Sequence, residues 1–69
     1  MTKRIRLNGT SRELAQGSSI AMLVRSLVGE EQEGVAVAVN GEIVTRSQWP
    51  EREVHDGDDI EIVRAVQGG

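Results

Sequence analysis

The chain contains no cysteine, no phenylalanine and no tyrosine, a single tryptophan, Trp49, and a single proline, Pro50. Without cysteine there is no disulfide, no thiolate metal ligand and no side-chain sulfur nucleophile. With one aromatic residue, the core has to be built from aliphatic side chains. Positive charge is also scarce: 8 Lys and Arg stand against 11 Asp and Glu, a net charge of -3. A mildly acidic chain without stacking aromatics is not a nucleic-acid binder, which needs a basic stripe or aromatic platforms. No apolar run approaches the length of a membrane span. The opening "MTKRIRLNG" carries positive charge but no following apolar run, so it does not read as a secretory signal. The expected location is the cytoplasm. At 69 residues the chain is one small domain, near the lower size limit for folding without staples.

The apolar residues that are present are well ordered. In "KRIRL", Ile5 and Leu7 share one face and Arg4 and Arg6 the other, the alternation of a half-buried strand. Asn8-Gly9 is a tight-turn signal, and "SRELA" returns as a second strand with Leu14 inward, closed by Gly17. "SSIAMLVRSLVG" places Ile20, Leu23, Val24, Leu27 and Val28 on one helical stripe. Ser18 or Ser19 can cap its start and Gly29 its end. "GEEQEG" reads as a solvated acidic connection. "VAVAVN" is a strand with Val35, Val37 and Val39 on one side, Asn40-Gly41 is a second tight turn, and "EIVTR" a short return. Pro50 makes "SQWPERE" irregular. "HDGD" is a turn, and "DIEIVRAV" is the last strand with Ile60 and Ile62 inward. One helix among five strands has only a sheet face on which to bury its stripe.

Catalytic equipment is sparse. His55, the only histidine, sits beside Asp56 in a glycine-containing turn with no second histidine or positioned nucleophile, and reads as a solvent-facing turn residue. "DGDDIE" has the wrong order and length for a calcium loop and reads as a charged entry to the last strand. Trp49 reads as a plug under the irregular stretch, in preference to an exposed docking anchor. The glycines form no phosphate loop, and no helix follows Gly68-Gly69.

What remains is the end of the sequence, "AVQGG". A carboxylate on Gly69 would be ionised at neutral pH and inert until joined to a good leaving group such as AMP. Two residues without Cβ keep the approach thin and let the backbone follow an enclosed passage. Gln67 to Gly69, fully extended, reach about 10 Å. The expected division is a folded unit over residues 1–66 and a flexible tail over 67–69.

The stretches "IRLNG", "SSIAMLV", "VAVAVNGEIVTRSQW" and "DGDDIEIVRAVQGG", in this order, resemble the ThiS family of sulfur carriers in thiamin biosynthesis, which have the β-grasp (ubiquitin-like) fold. The helix start departs from the family pattern in lacking an acidic residue at the third position. The resemblance implies an α+β architecture: a mixed sheet of four to five strands with one helix on one face, and the first and last strands adjacent and parallel. It places Arg4 and Arg6 within reach of Glu61. It further implies that a ubiquitin-activating-type (ThiF-like) adenylyltransferase uses Mg-ATP to convert Gly69 to an acyl-adenylate. Sulfur from a persulfide donor then replaces AMP to leave a thiocarboxylate, which a ThiG-like thiazole synthase consumes. The chain would be a carrier and co-substrate, not an enzyme, binding no metal or cofactor itself, and a monomer.

Gly69 is the expected reactive residue, with Gly68 and Gln67 giving access. Val63, Ala65 and Val66 either help to dock partners or are ordinary strand residues. Three other roles share the sequence features: the small subunit of molybdopterin synthase, a ubiquitin-like protein modifier, and an interaction module in which the tail plays no part.

Overall fold

Alternation and turn chemistry dictate most of the architecture. In the computed structural model, which describes residues 1–65, the elements run β1 (Thr2–Leu7), β2 (Thr10–Ala15), α1 (Ile20–Val28), β3 (Val35–Val39), β4 (Glu42–Val44), a 3-10 turn (Arg46–Gln48) and β5 (Asp59–Arg64). The five strands form one sheet in the order β2-β1-β5-β3-β4. β1 and β5 are parallel, and the remaining neighbours are antiparallel. The last strand therefore lies at the centre, as the β-grasp resemblance implies.

Both hairpins form where Asn-Gly pairs stand. Asn8 and Asn40 have φ of 49° and 52°, followed by Gly9 and Gly41 at 83° and 85°. Two consecutive left-handed residues match the twist of the flanking strands, and Asn and Gly tolerate that region best. The helix is capped by Ser19, whose Oγ accepts from the Met22 N–H at 3.2 Å. Ser18 does not cap, and its hydroxyl instead donates to the Ala15 carbonyl at 2.7 Å. Gly29 ends the helix, its N–H donating to the Arg25 carbonyl.

The core lies between α1 and one sheet face. Ile20, Leu23 and Val24 pack with Ile5, Leu7, Val37, Val39, Ile60 and Ile62. The apolar stripe is narrower than its periodicity suggests, since Leu27 is 37 % exposed at the end of the helix. Trp49 is the plug expected of it: the ring is buried and its Nε1–H donates to the Val44 carbonyl at 3.0 Å. The Arg46 guanidinium lies 5.8 Å from the ring centroid, within cation–π range.

Two buried positions escape the sequence patterns. Val54, in the irregular segment, is fully buried. Lys3, although charged, shares the inward face of β1 with Ile5 and Leu7 and is 3 % exposed. Its ammonium donates to the Val54 carbonyl and lies 3.8 Å from Glu53.

The expected pairing of Arg4 and Arg6 with Glu61 is not formed. Arg4 stands opposite Glu13 in the β1–β2 register and pairs with that carboxylate at 3.8 Å. β1 meets β5 at Arg6↔Asp59 and Leu7↔Ile60, and Glu61 faces Ala38 on β3. The offset of the parallel pair carries Glu61 beyond the end of β1.

Candidate functional site

The site is the end of β5 and its surroundings. β5 is supported on both sides, by β1 through Arg6↔Asp59 and Leu7↔Ile60 and by β3 from Val39↔Ile60 to Val35↔Arg64. Beyond the last ladder pair, the Ala65 N–H donates to the Gly34 carbonyl at 2.8 Å. The Arg64 guanidinium donates to the carbonyl of Glu31. Val66, Gln67, Gly68 and Gly69, and with them the boundary between folded unit and tail, lie outside the described residues.

The segment between α1 and β3 is thus more than a solvated connection. It brings Glu30, Glu31 and Glu33 to the lining of an open polar hollow shared with Arg46 and Arg64. The sequence shows its acidity but not its place, because the contact joins residues some thirty positions apart. The long-range pairing of β3 with β5 decides it.

Val63 lies on the sheet face opposite the helix and is 60 % exposed, and Ala65 is also exposed. Val63 stands across from Ala36, and Ala38 across from Ile43, which is 73 % exposed. These residues form an apolar strip across β5, β3 and β4. Ile43 is a docking candidate that sequence reasoning missed, although the signal exists. A two-residue turn at Asn40-Gly41 pairs Val39 with Glu42 and Ala38 with Ile43, so an outward Ala38 forces an outward Ile43.

The remaining polar candidates serve the fold. Asp58 is buried, its carboxylate accepting from Asn40 Nδ2 at 3.0 Å and from the His55 N–H at 2.8 Å. Asp56 accepts from the Arg4 N–H at 2.8 Å. Both carboxylates hold the turn before β5, and His55 is an exposed turn residue. Among the described residues, no three His, Cys, Asp or Glu side chains are grouped so as to hold a metal. No described helix is long and apolar enough to cross a membrane.

A mixed sheet with a parallel β1–β5 pair at its centre, one helix and a central last strand leading to Gly68-Gly69 is the arrangement the resemblance implies. The ThiS family model matches residues 5–69, the glycine pair included. The chain belongs to the ThiS family. The sulfur carrier protein ThiS of Escherichia coli is 35 % identical over 66 residues, covering 96 % of this chain and 98 % of that protein. The sulfur carrier protein ThiS of Thermus thermophilus is 38 % identical over 63 residues, covering 91 % and 95 %. A solved ThiS structure from Geobacter metallireducens superposes with a TM-score of 0.74 at 28 % identity, covering 96 % of this chain and 99 % of that one. A thiazole synthase of Paramagnetospirillum magneticum is 39 % identical over 66 residues, and the match covers 91 % of this chain but only 19 % of that protein. There the family's sequence pattern occurs within a much longer chain.

Proposed function

We infer that the chain is a sulfur carrier protein of thiamin biosynthesis. The observation that carries this reading is the end-to-end family match, which runs through the glycine pair. The match to part of a thiazole synthase supports a partner of that type. The finer chemistry is our proposal. A Gly69 carboxylate oxygen attacks the α-phosphorus of Mg-ATP in the site of a ubiquitin-activating-type adenylyltransferase. An acyl-adenylate forms and pyrophosphate leaves. The terminal sulfur of a persulfide then attacks the acyl carbon and AMP departs, leaving an acyl disulfide. A second thiol cleaves the S–S bond, itself becoming part of a disulfide, and releases the Gly69 thiocarboxylate. Thiazole synthase takes the sulfur, and an oxygen from its substrate or from water takes the place of that sulfur on the acyl carbon, so that the carboxylate returns.

In this cycle the chain's own contribution is recognition and delivery. Gly68 and Gly69 give thin access, because a residue without Cβ passes a narrow channel and adopts any backbone angle it meets, and Gln67 adds reach. Docking has to offset the ordering of the tail, about 1–2 kcal/mol per residue. The apolar strip of Val63, Ala36, Ala38 and Ile43, with the exposed Ala65 beside it, supplies the surface for it: exposed apolar area beside the end of β5 is of the kind buried in complexes.

Intact mass spectrometry of the protein made in its native cell tests the proposal. The expected result is a species heavier by the exchange of one oxygen for sulfur, lost when adenylation is blocked. A chain lacking Gly68 and Gly69 that still supported thiamin synthesis, with no substitute carrier present, would overturn it. Larger adducts sensitive to removal of Gly69 would instead favour a protein modifier.

A further inference from the structure

We propose that Gly34 is a positioning residue that holds Ala65 and so fixes the point from which the chain continues towards Gly69. The inference rests on the sulfur-carrier reading above. Gly34 adopts φ +76°, and its carbonyl takes the Ala65 N–H at 2.8 Å, one residue past the end of β5. A Cβ at position 34 would stand 3.2 Å from the Ala65 oxygen, tight enough that Ala65 would have to shift by a few tenths of an ångström, at the residue whose N–H the same glycine holds. Of the six described glycines with positive φ, Gly34 alone has a neighbour within 4 Å of that position. Glycine here meets two demands, the backbone angle and the close approach of a second backbone. Arg64, donating to the Glu31 carbonyl, ties the same segment to the same exit.

With Ala65 held, the span from Val66 to Gly69 is at most about 13–14 Å. Loosening the Ala65 bond leaves one more residue to be ordered on docking. The ordering entropy of one residue corresponds to a factor of about 5–30 in the docking equilibrium. Gly34 therefore acts on recognition of the tail by the activating enzyme and leaves the chemistry at Gly69 untouched.

The test is ATP–pyrophosphate exchange by the ubiquitin-activating-type adenylyltransferase, with KM for the carrier and kcat measured separately. Gly34→Ala is expected to raise KM about 5–30-fold with kcat unchanged. Gly29→Ala is the control, since Gly29 has φ +70° with nothing within 4 Å of its Cβ position, and it should leave KM at the wild-type value. Ala65→Pro removes the N–H donor without altering residue 34 and should raise KM in the same direction. Because Ala65 also adjoins the docking strip, amide exchange at Ala65 decides the matter if Gly34→Ala fails to fold. The wild-type protein supplies a readout of its own: the Ala65 amide should be protected from hydrogen exchange, and exchange at the rate of an unstructured peptide would overturn the clamp. If the wild-type chain is adenylated but both variants match Gly29→Ala in KM, only the role of Gly34 is overturned. If the wild-type chain is not adenylated at all, the carrier reading falls and this inference with it.

Discussion

The side chain of Asn8 pairs with the backbone of Ile62 as a strand residue would. Its Oδ1 accepts from the Ile62 N–H at 2.9 Å and its Nδ2 donates to the Ile62 carbonyl at 3.2 Å. The Asn8 main chain meanwhile donates to the Ile60 carbonyl at 2.9 Å. β1 has already turned away at this point, so the amide extends the β1–β5 ladder by one step. It supports β5 near the place where Ala65 meets Gly34.

Asn8→Asp keeps the acceptor and the tolerance for positive φ but loses the donor to Ile62. Asn8→Ala loses both bonds and the tolerance. The expected destabilisation is about 1 kcal/mol for the first and about 2–3 kcal/mol for the second. Urea denaturation checks the order, and equal effects would show that the Oδ1 acceptor bond and the tolerance for positive φ contribute nothing.

Trp49 combines a large buried surface with one hydrogen bond to Val44. Trp49→Phe should cost about 1–2 kcal/mol through the orphaned Val44 carbonyl, and Trp49→Ala about 3–5 kcal/mol through the cavity. Circular dichroism has to follow unfolding in these variants, because each removes the only tryptophan. In the wild-type protein, Trp49 emission should shift to longer wavelength on denaturation.

Lys3 stands where the strand pattern calls for an apolar residue. Lys3→Met retains most of the stem but removes the donor to Val54, with an expected cost of about 1–3 kcal/mol. Lys3→Glu would face the same carbonyl with a buried carboxylate close to Glu53, at a cost of about 3–5 kcal/mol. Thermal melts of the two variants should separate clearly. A Lys3→Glu protein as stable as wild type would contradict the burial of this side chain.

The apolar strip is expected to act in docking while adding little to stability. Val63→Glu and Ile43→Glu should leave unfolding midpoints nearly unchanged, because both side chains already face solvent. Each should raise the KM for adenylation about tenfold or more, the usual scale for loss of an interface anchor. A folded Val63→Glu protein adenylated with the wild-type KM would remove Val63 from the docking surface.

Local chemistry sufficed for much of this molecule. The Asn8-Gly9 and Asn40-Gly41 turns, the alternation in β1, β3 and β5 and the helical period of α1 each act over a few residues, and so are legible along the chain. The terminal glycines are equally visible, and family-like order makes them meaningful. The tertiary structure alone decided what depends on distant partners: that Lys3 and Val54 meet in the core, that the β1–β5 offset carries Glu61 beyond the end of β1, and that the acidic segment closes on Arg64 and Ala65. The reason is physical. Periodicity says which way a side chain points along its own strand and a two-residue turn sets the register of a hairpin, whereas the pairing of strands distant in sequence is set by strand order, which only the assembled fold determines.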